Sequence, residues 1–428
     1  MIFRQFYFFN QLRRNQWLGL MDLKKLQFKK LKAIVHHAYN SVEFYHKLYH
    51  PLGIGPQTLN NLEDLNKFPI ITKEDIQKNF PNKLLAKNKK LTNCTILHTA
   101  GSTGKPLTVL LNPEEMDFSL AVNLRSLYEN GFRFRDKMLA VSTNPPKRRS
   151  LAKILHFLPT EYISLYDNPY EQKNRLNSLK IACIFGHTSY VKILAKAKYD
   201  CHLDRFNPRL IFTSAEILDK ATRKMINTVF NTDLKDLYGC VELNRTAWEC
   251  KEHMGYHMDI DSVVFEFIKN GEQIAFNEQG EVVYTGLYNY TMPLIRYAIG
   301  DIAIPSDEKC PCGRNLPLIK IIEGRTFDFI VLPDNRIYSP LIFINSLRPI
   351  RGIKEFKVIQ ENLHYLKIYY IRKKSDKSDL EKQITFEVQK ILGNEIRIEP
   401  IEVNELPSEP SGKKRYVKSN MKINWIGK

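Results

Sequence analysis

The sequence lacks the long apolar run that a membrane-spanning helix needs. No stretch approaches the ~20 consecutive apolar residues required to cross a bilayer. The N-terminus contains apolar residues, but Arg13 and Arg14 interrupt it and no small-residue cleavage site follows, so it does not fit a secretory signal peptide. Its aromatic and basic residues are compatible with contact to a membrane surface, and packing on the protein core is the alternative.

Cysteine is also scarce, with seven in 428 residues. An odd number of cysteines in a long chain argues against a secreted disulfide framework. A reducing compartment fits better, and we expect a cytoplasmic protein.

Acidic residues are too few to balance the basic ones, and the net charge is +18. Such an excess could attract nucleic acid, anionic membranes or polyphosphates. The lysines are spread widely, however, and no compact basic helix or aromatic RNA-binding signature accompanies them, so we expect no nucleic-acid partner. The charge is interpreted as a solvated, lysine-rich surface.

The sequence has no internal repeats or low-complexity tracts, and its length favours two or more domains. Apolar spacing predicts an amphipathic helix over 23–49, and another helix is expected to start at Thr72. Between 135 and 300, strand-like runs alternate with helical stretches, which predicts α/β layers. From about 335 onward, two paired strands, a helix over 378–392 and a last strand over 396–403 predict a small α+β domain.

The segment Thr99–Pro106 concentrates glycines and hydroxyl residues around one lysine, Lys105. Glycines let the backbone approach an anion, N–H and hydroxyl groups donate to phosphate oxygens, and the lysine adds a positive charge. The segment is not a Walker motif, because Pro106 follows the Gly-Lys pair. It predicts a phosphate-binding loop, although such sequences also form ordinary turns.

This loop resembles that of the acyl-adenylate-forming enzymes, in the branch of phenylacetate-coenzyme A ligases and related capsular polysaccharide biosynthesis proteins. Further motifs resemble that family in its order along the chain: Phe68–Lys73, Ser214–Glu216, Tyr238–Glu242, Arg296–Asp301, Gly324–Asp328 and Pro410–Arg415. The resemblance spans nearly the whole chain. It implies a large α/β N-terminal domain over 1–325 that binds ATP and the acid, and a small mobile α+β domain over 326–428.

The resemblance also implies roles for individual residues. Glu242 would hold Mg²⁺, Lys105 would bind phosphate, and Lys413 would reach into the site from the small domain. Phe327 stands where the family usually carries a polar hinge residue. The residues expected around the nucleotide are Thr99, Gly101, Ser102, Thr103, Gly104, Ser214, Ala215, Glu216, Tyr238, Gly239, Cys240, Asp301 (on the ribose hydroxyls) and Arg325.

A second cluster of residues suggests a metal. Thiolate and imidazole ligands favour tetrahedral Zn²⁺, and several members of the family branch carry a structural zinc. The expected ligands are Cys250, His257, Cys310 and Cys312, with His253 as the alternative histidine. Reduced cysteines near a turn are the other interpretation.

The reaction implied by the resemblance is adenylation of a carboxylic acid by ATP with Mg²⁺, followed by transfer to a thiol, with coenzyme A as the leading candidate. Two alternatives stay open. One is an amide-forming enzyme that passes the acyl group to an amine in surface-polysaccharide assembly. The other is a non-catalytic homologue that binds a nucleotide. The sequence does not identify the acid or the oligomeric state.

Overall fold

A computed structural model describes residues 2–99, 106–142, 159–334, 336–373, 376–407, 415–421 and 423–427. Most of these residues form a large α/β body, and the C-terminal residues form a smaller one. The helices, in chain order, are α1 (Ile2–Asn15), α2 (Leu20–Ser41), α3 (Glu43–Tyr49), α4 (Lys73–Asn79), α5 (Pro113–Tyr128), α6 (Lys173–Ser178), α7 (Thr188–Asp200), α8 (Lys220–Phe230), α9 (Pro340–Leu347) and α10 (Leu380–Leu392). Short 3₁₀ helices span His50–Leu52, Pro56–Thr58, Glu63–Lys67, Leu91–Asn93 and Thr326–Asp328.

The strands of the large body form a hairpin and a twelve-stranded sheet. The hairpin pairs β1 (Thr95–His98) with β2 (Thr108–Leu111). The other strands are β3 (Met138–Ser142), β4 (Thr160–Ser164), β5 (Cys183–His187), β6 (Leu210–Ser214), β7 (Lys235–Cys240), β8 (Asn244–Glu249), β9 (Tyr256–Met258), β10 (Val263–Lys269), β11 (Glu272–Gln273), β12 (Gly280–Gly286), β13 (Tyr297–Ser306) and β14 (Leu318–Arg325). Their order in the sheet is β11-β10-β12-β13-β14-β9-β8-β7-β6-β5-β3-β4.

The sheet changes character at β7. The strands β4, β3, β5, β6 and β7 run parallel, and from β7 to β11 every pairing is antiparallel. Helices α7 and α8 cover the parallel part and share an apolar core with it. Parallel strands, which are joined by crossover connections, run in the same direction, so their carboxyl ends lie at one edge of the sheet. Binding residues gather at this edge in open α/β sheets.

The N-terminal helices differ from the expectation of one helix over 23–49. Val42 adopts an extended conformation (φ −120°, ψ 114°) and divides this segment into α2 and α3. Thr72 caps α4 as predicted, accepting a hydrogen bond from the Asp75 N–H. Among the described residues, no helix is both long and apolar enough to cross a membrane.

The C-terminal residues have their own apolar core, which extends from Ile330 to Val417. Its four-stranded sheet has the order β19-β18-β17-β20, in which β17 (Ile353–Asn362) and β18 (Tyr365–Arg372) are antiparallel and β19 (Arg397–Glu402) and β20 (Val417–Ser419) run parallel to their neighbours. Helices α9 and α10 pack on this sheet, and a two-stranded ribbon, β15 (Ile330–Val331) with β16 (Ile337–Tyr338), precedes it. The paired strands, the helix and the last strand agree with the predicted α+β unit. The boundary at 325/326 stays a prediction.

Candidate active site

Glu242 lies in the turn between β7 and β8 and is almost fully buried. Its Oε1 accepts a hydrogen bond of 3.1 Å from the Tyr297 hydroxyl on β13. The structure shows no basic side chain paired with Glu242 among the described residues. A buried carboxylate held by a neutral donor keeps lone pairs available, which suits a hard cation such as Mg²⁺.

Asp301 is positioned by two partners from other strands. The Tyr238 hydroxyl donates to Asp301 Oδ2 at 2.9 Å, and the Arg325 Nε lies 2.6 Å from Oδ1. Asp301 and Arg325 face each other because β13 and β14 pair in this register. The Asp301 charge raises the pKa of Arg325, the largest of the effects on that group. The fold therefore brings together the predicted residues Tyr238, Glu242, Asp301 and Arg325.

The segment Ser214–Glu216 leaves the carboxyl end of β6, next to the end of β7. The Ser214 hydroxyl donates to the Leu237 carbonyl at 2.7 Å, which ties these two strand ends together. Ala215 has a φ of +72°, an unusual conformation for a residue with a side chain and one that often marks functional sites. Glu216 accepts hydrogen bonds from the backbone N–H and hydroxyl of Ser189, in the first turn of α7.

Gly239 permits a close approach between β7 and β8. A Cβ atom at this position would lie 2.1 Å from the Asn244 carbonyl oxygen, so no other residue fits without moving the backbone. The neighbouring Cys240 thiol has a raised pKa because burial disfavours its thiolate. Gly239 and Cys240 lie at the same end of β7 as Tyr238, as expected from the motif Tyr238–Glu242.

Part of the predicted phosphate site lies outside the described residues: Gly101, Ser102, Thr103, Gly104 and Lys105 in the loop, and Lys413 near the C-terminus. Thr99 is described and closes the base of this loop. It exchanges hydrogen bonds with Leu107, whose backbone N–H donates to the Thr99 hydroxyl at 2.8 Å. The predicted loop thus connects the two strands of the β1–β2 hairpin.

The segment after β14 joins the large body to the C-terminal one through charged contacts. The buried Asp328 accepts from the Arg325 N–H and pairs with Arg415, whose Nε lies 3.0 Å from Oδ1. Burial raises the pKa of Asp328 to about 6. The Arg415 guanidinium also stacks over the Phe327 ring at 4.0 Å, so the aromatic residue at the predicted hinge has a partner from the C-terminal motif.

A second contact between the two bodies involves Arg348, just after α9. Arg348 forms an ion pair with Asp219, the cap of α8, and donates to the Thr222 hydroxyl at 3.1 Å. Burial would raise the pKa of Asp219, but the hydrogen bonds from Arg348 and Thr222 and the Arg348 charge together outweigh it and lower the pKa. These contacts fix the C-terminal body over the carboxyl edge of the parallel strands.

The predicted zinc ligands come together in one cluster. The ligand atoms of Cys250, His257, Cys310 and Cys312 all lie within 4.8 Å of one another. The Cys250 and Cys310 sulfurs are 3.5 Å apart, and Cys312 Sγ is 3.4 Å from His257 Nε2. A tetrahedron with Zn–S bonds of about 2.3 Å has edges of about 3.8 Å, so the cluster fits this ion.

The surroundings of the cluster favour metal ligation. His257 Nδ1 lies 3.4 Å from the Leu316 carbonyl, the kind of contact that fixes the ring orientation of a histidine ligand. Burial would raise the pKa of Cys312, but its hydrogen bonds with His257 and Arg314 and the His257 charge together outweigh it and lower the pKa. The alternative histidine, His253, lies outside the cluster, with its Nε2 2.7 Å from Asp233 Oδ1. His257 is therefore the histidine in position.

Sequence reasoning missed three residues at the site. Tyr297 lies within the motif Arg296–Asp301, which predicts no role for it, although its hydroxyl holds Glu242. Arg415 stands two positions after Lys413 in the motif Pro410–Arg415, and this position in the motif was the signal that could have identified it. Arg245 gave no signal, because only the fold places it beside Ser214.

Comparison with known structures supports the fold. The chain superposes on 2-hydroxyisobutyryl-CoA ligase in the postadenylation state, in complex with 2-HIB-AMP, with a TM-score of 0.81 and 18% identity over 95% of this chain and 91% of that one. The chain has the fold of the acyl-adenylate-forming ligases. The TM-score falls to 0.66 against the same ligase in the thioesterification state. The two bodies are thus arranged more as in the former state.

Sequence comparison agrees with this result. Residues 331–420 match the CapK C-terminal domain. Protein CapK of Staphylococcus aureus is 26% identical over 415 residues, which cover 94% of this chain and 90% of CapK. A phenylacetate-coenzyme A ligase of Thermus thermophilus is 26% identical over 328 residues, covering 74% of this chain and 73% of the ligase. The resemblance inferred from the motifs is confirmed.

Proposed function

We propose that the protein is an ATP-dependent ligase that adenylates a carboxylic acid. A carboxylate oxygen of the acid attacks the α-phosphorus of ATP, the bond from that phosphorus to the bridging oxygen breaks, and pyrophosphate leaves. The observation that carries the proposal is the grouping of Tyr238, Glu242, Asp301 and Arg325 at one edge of the fold shared with acyl-AMP-binding ligases. No protein nucleophile is required, since the carboxylate itself attacks.

The chain's own residues would bind and orient the reactants. Glu242 suits Mg²⁺, which would neutralise phosphate charge. Asp301 can accept from both ribose hydroxyls on its free lone pairs, and Arg325 holds it in place. We assign phosphate binding to the loop 101–105 and charge stabilisation during adenylation to Lys413, following the motif resemblance.

An acid-dependent ATP–pyrophosphate exchange screen tests this proposal. Aryl, aliphatic and sugar acids are incubated with the protein, ATP, Mg²⁺ and labelled pyrophosphate. We expect label to enter ATP only with the cognate class of acid, because exchange requires reversible formation of acyl-AMP. Exchange absent with every class, in protein shown to be folded, would contradict the proposal.

The acceptor of the acyl group is proposed to be a thiol, with coenzyme A as the leading candidate. The similarity to phenylacetate-coenzyme A ligases over about three quarters of the chain supports it. An amine acceptor in capsular polysaccharide biosynthesis is the second candidate, favoured by the CapK similarity over 94% of the chain. Adding coenzyme A or an amine to preformed acyl-AMP and identifying the product by mass spectrometry distinguishes a thioester from an amide.

We further propose that Cys250, His257, Cys310 and Cys312 bind a structural zinc ion. The cluster lies beside β9 and β14, and four protein ligands leave no open position for substrate. Thiolate ligands require reduced cysteines, in keeping with the cytoplasmic location expected from the sequence.

Peripheral contact with an anionic membrane is proposed for α1. Phe3 and Tyr7 are 93% and 65% exposed on one face of this helix, and Arg14 continues that face. An exposed aromatic and basic helix face suits the headgroup region of a bilayer. Cosedimentation with vesicles containing anionic lipid should weaken in a Phe3→Ser, Tyr7→Ser variant, and unchanged sedimentation would contradict the contact.

A further inference from the structure

Arg245 is a buried cation with few partners at the edge of the candidate active site. It lies on β8, directly opposite Gly239 of β7, and is only 7% exposed. Its side chain extends across β7 to β6, where Nη1 donates to the Ser214 hydroxyl at 3.2 Å. The guanidinium carbon lies 5.7 Å from the centre of the Phe185 ring on β5.

Among the described residues, no direct ion pair neutralises the charge of Arg245. In the part of the chain that the structure describes, no carboxylate forms an ion pair with it, and its buried Nε has no hydrogen-bond partner. The acidic groups that act on it through space, Asp236 and Asp259, are bonded to other side chains, Asp236 to Thr213 and Asp259 to Arg125. Burial lowers the pKa of Arg245 to about 10, which still leaves it protonated at neutral pH.

An unpaired buried cation is costly, and the cost falls when an anion binds to it. The guanidinium of Arg245, with its unpaired Nε, lies beside the Ser214 hydroxyl and the Phe185 ring. Ser214 begins the segment Ser214–Glu216. We propose that Arg245 is a specificity-determining residue that binds a second anionic group of the acid substrate. This inference rests on the proposed adenylation, and it names the substrate class as acids with two negative charges.

A dianionic acid could react with ATP through one group and bind Arg245 through the other. One carboxylate reacts with ATP and must stay free to attack, while the second group forms charge-assisted hydrogen bonds with the guanidinium. An acid without that group would leave the Arg245 charge buried and unpaired, and such mismatches are rejected strongly. Phe185 and Ser214 would contact the carbon chain between the two groups.

Matched pairs of acids test the inference: butyrate with succinate, hexanoate with adipate, and phenylacetate with carboxyphenylacetate. We expect the dianionic member of at least one pair to be preferred by about 10-fold or more in kcat/KM for exchange, as for loss of a hydrogen bond to a charged group. Arg245→Gln should remove this preference by lowering kcat/KM for the dianion more than for the matched monoanion. Arg245→Lys should retain part of it, and Arg205→Gln, at an exposed position, should change nothing.

A binding measurement separates this inference from the proposed function. Thermal shifts are recorded with each acid and an ATP analogue that carries a methylene bridge between its α- and β-phosphorus, so that no turnover is possible. Stabilisation by a dianion in the wild type that is lost in Arg245→Gln supports the inference even where exchange fails. Equal responses to both members of every pair, or an equal loss for both in Arg245→Gln, would overturn it. Absence of exchange with all acids contradicts adenylation alone.

Discussion

At the scale of single residues, the site depends on two tyrosine hydroxyls that orient two carboxylates. Tyr297 holds Glu242, and Tyr238 holds Asp301. Burial is the main cause that raises the pKa of both tyrosines, so each stays a neutral donor at physiological pH. A neutral donor such as Tyr297 orients the Glu242 carboxylate without competing with the Mg²⁺ that Glu242 is proposed to bind.

Replacing Glu242 by glutamine tests its proposed role in holding Mg²⁺. The amide oxygen can still accept from Tyr297, so we expect the melting temperature to change little. A neutral amide is a poor ligand for a hard cation, and Mg²⁺-dependent exchange should fall by at least about 100-fold. Glu272→Gln, at an exposed position on β11, is the matched control. Exchange near the wild-type level in Glu242→Gln would remove Glu242 from the site.

The resemblance to motifs of the acyl-adenylate-forming enzymes predicted Glu242, Asp301 and Arg325, because such motifs are short local sequences. The same reasoning did not reach Arg245 or a role for Tyr297. Their contacts join residues 31 and 55 positions apart, and a single sequence carries no record of such pairings. For the proposed zinc ligands, the sequence left two histidines open, and the structure places His257 in the cluster and His253 beside Asp233.

At the scale of elements, the cysteine cluster joins two loops of the antiparallel part of the sheet. Cys250 follows β8, and Cys310 and Cys312 lie between β13 and β14, with His257 on the intervening β9. The loop between β13 and β14 also contacts the N-terminal segment and the end of α5, because Arg314 stacks over Trp17 and pairs with Glu129. A metal at this point would stabilise the connection between distant elements.

Replacing Cys310 by serine should abolish this metal site. Elemental analysis of the wild type should give about one zinc per chain, and the variant should contain little, with a lower melting temperature. Cys201→Ser, at a partly exposed cysteine outside the cluster, is the control. Negligible metal in the wild type, with no change in stability in the variant, would show that the cluster is a set of reduced thiols.

Several elements followed directly from apolar periodicity, and others did not. The helix over 378–392 and the last strand over 396–403 were predicted within a few residues of α10 and β19. The break at Val42 was missed, since apolar spacing continues through it and only tertiary packing selects the extended conformation. The antiparallel half of the sheet also needed the structure, because strand order depends on pairings between distant segments.

At the scale of the whole molecule, the ion pair between Arg348 and Asp219 joins the two bodies near the site. A second ion pair, between Arg415 and Asp328, ties the C-terminal motif to the segment that connects the bodies. The Arg415–Asp328 contact places Arg415, the last residue of the C-terminal motif, beside the segment that follows Arg325. The greater similarity to a postadenylation state than to a thioesterification state agrees with this arrangement.

Replacing Lys413 by alanine tests the proposal that the C-terminal body takes part in adenylation. By analogy with the loss of one preorganised donor, single-turnover adenylation should slow by on the order of 100-fold, while ATP binding weakens far less. Transfer from supplied acyl-AMP should survive if the bodies rearrange between half-reactions. Lys414→Ala is the adjacent control. Unchanged adenylation would refute the role of Lys413, and equal loss in both half-reactions would refute the rearrangement.

The identity of the products tests the central claim most directly. The protein is incubated with its best acid, Mg²⁺ and ATP labelled at the α-phosphate, and the quenched mixture is separated before any acceptor is added. The account predicts acid-dependent formation of labelled acyl-AMP together with unlabelled pyrophosphate. Acid-dependent formation of labelled ADP and inorganic phosphate would contradict it, because the attack would then have occurred at the γ-phosphorus.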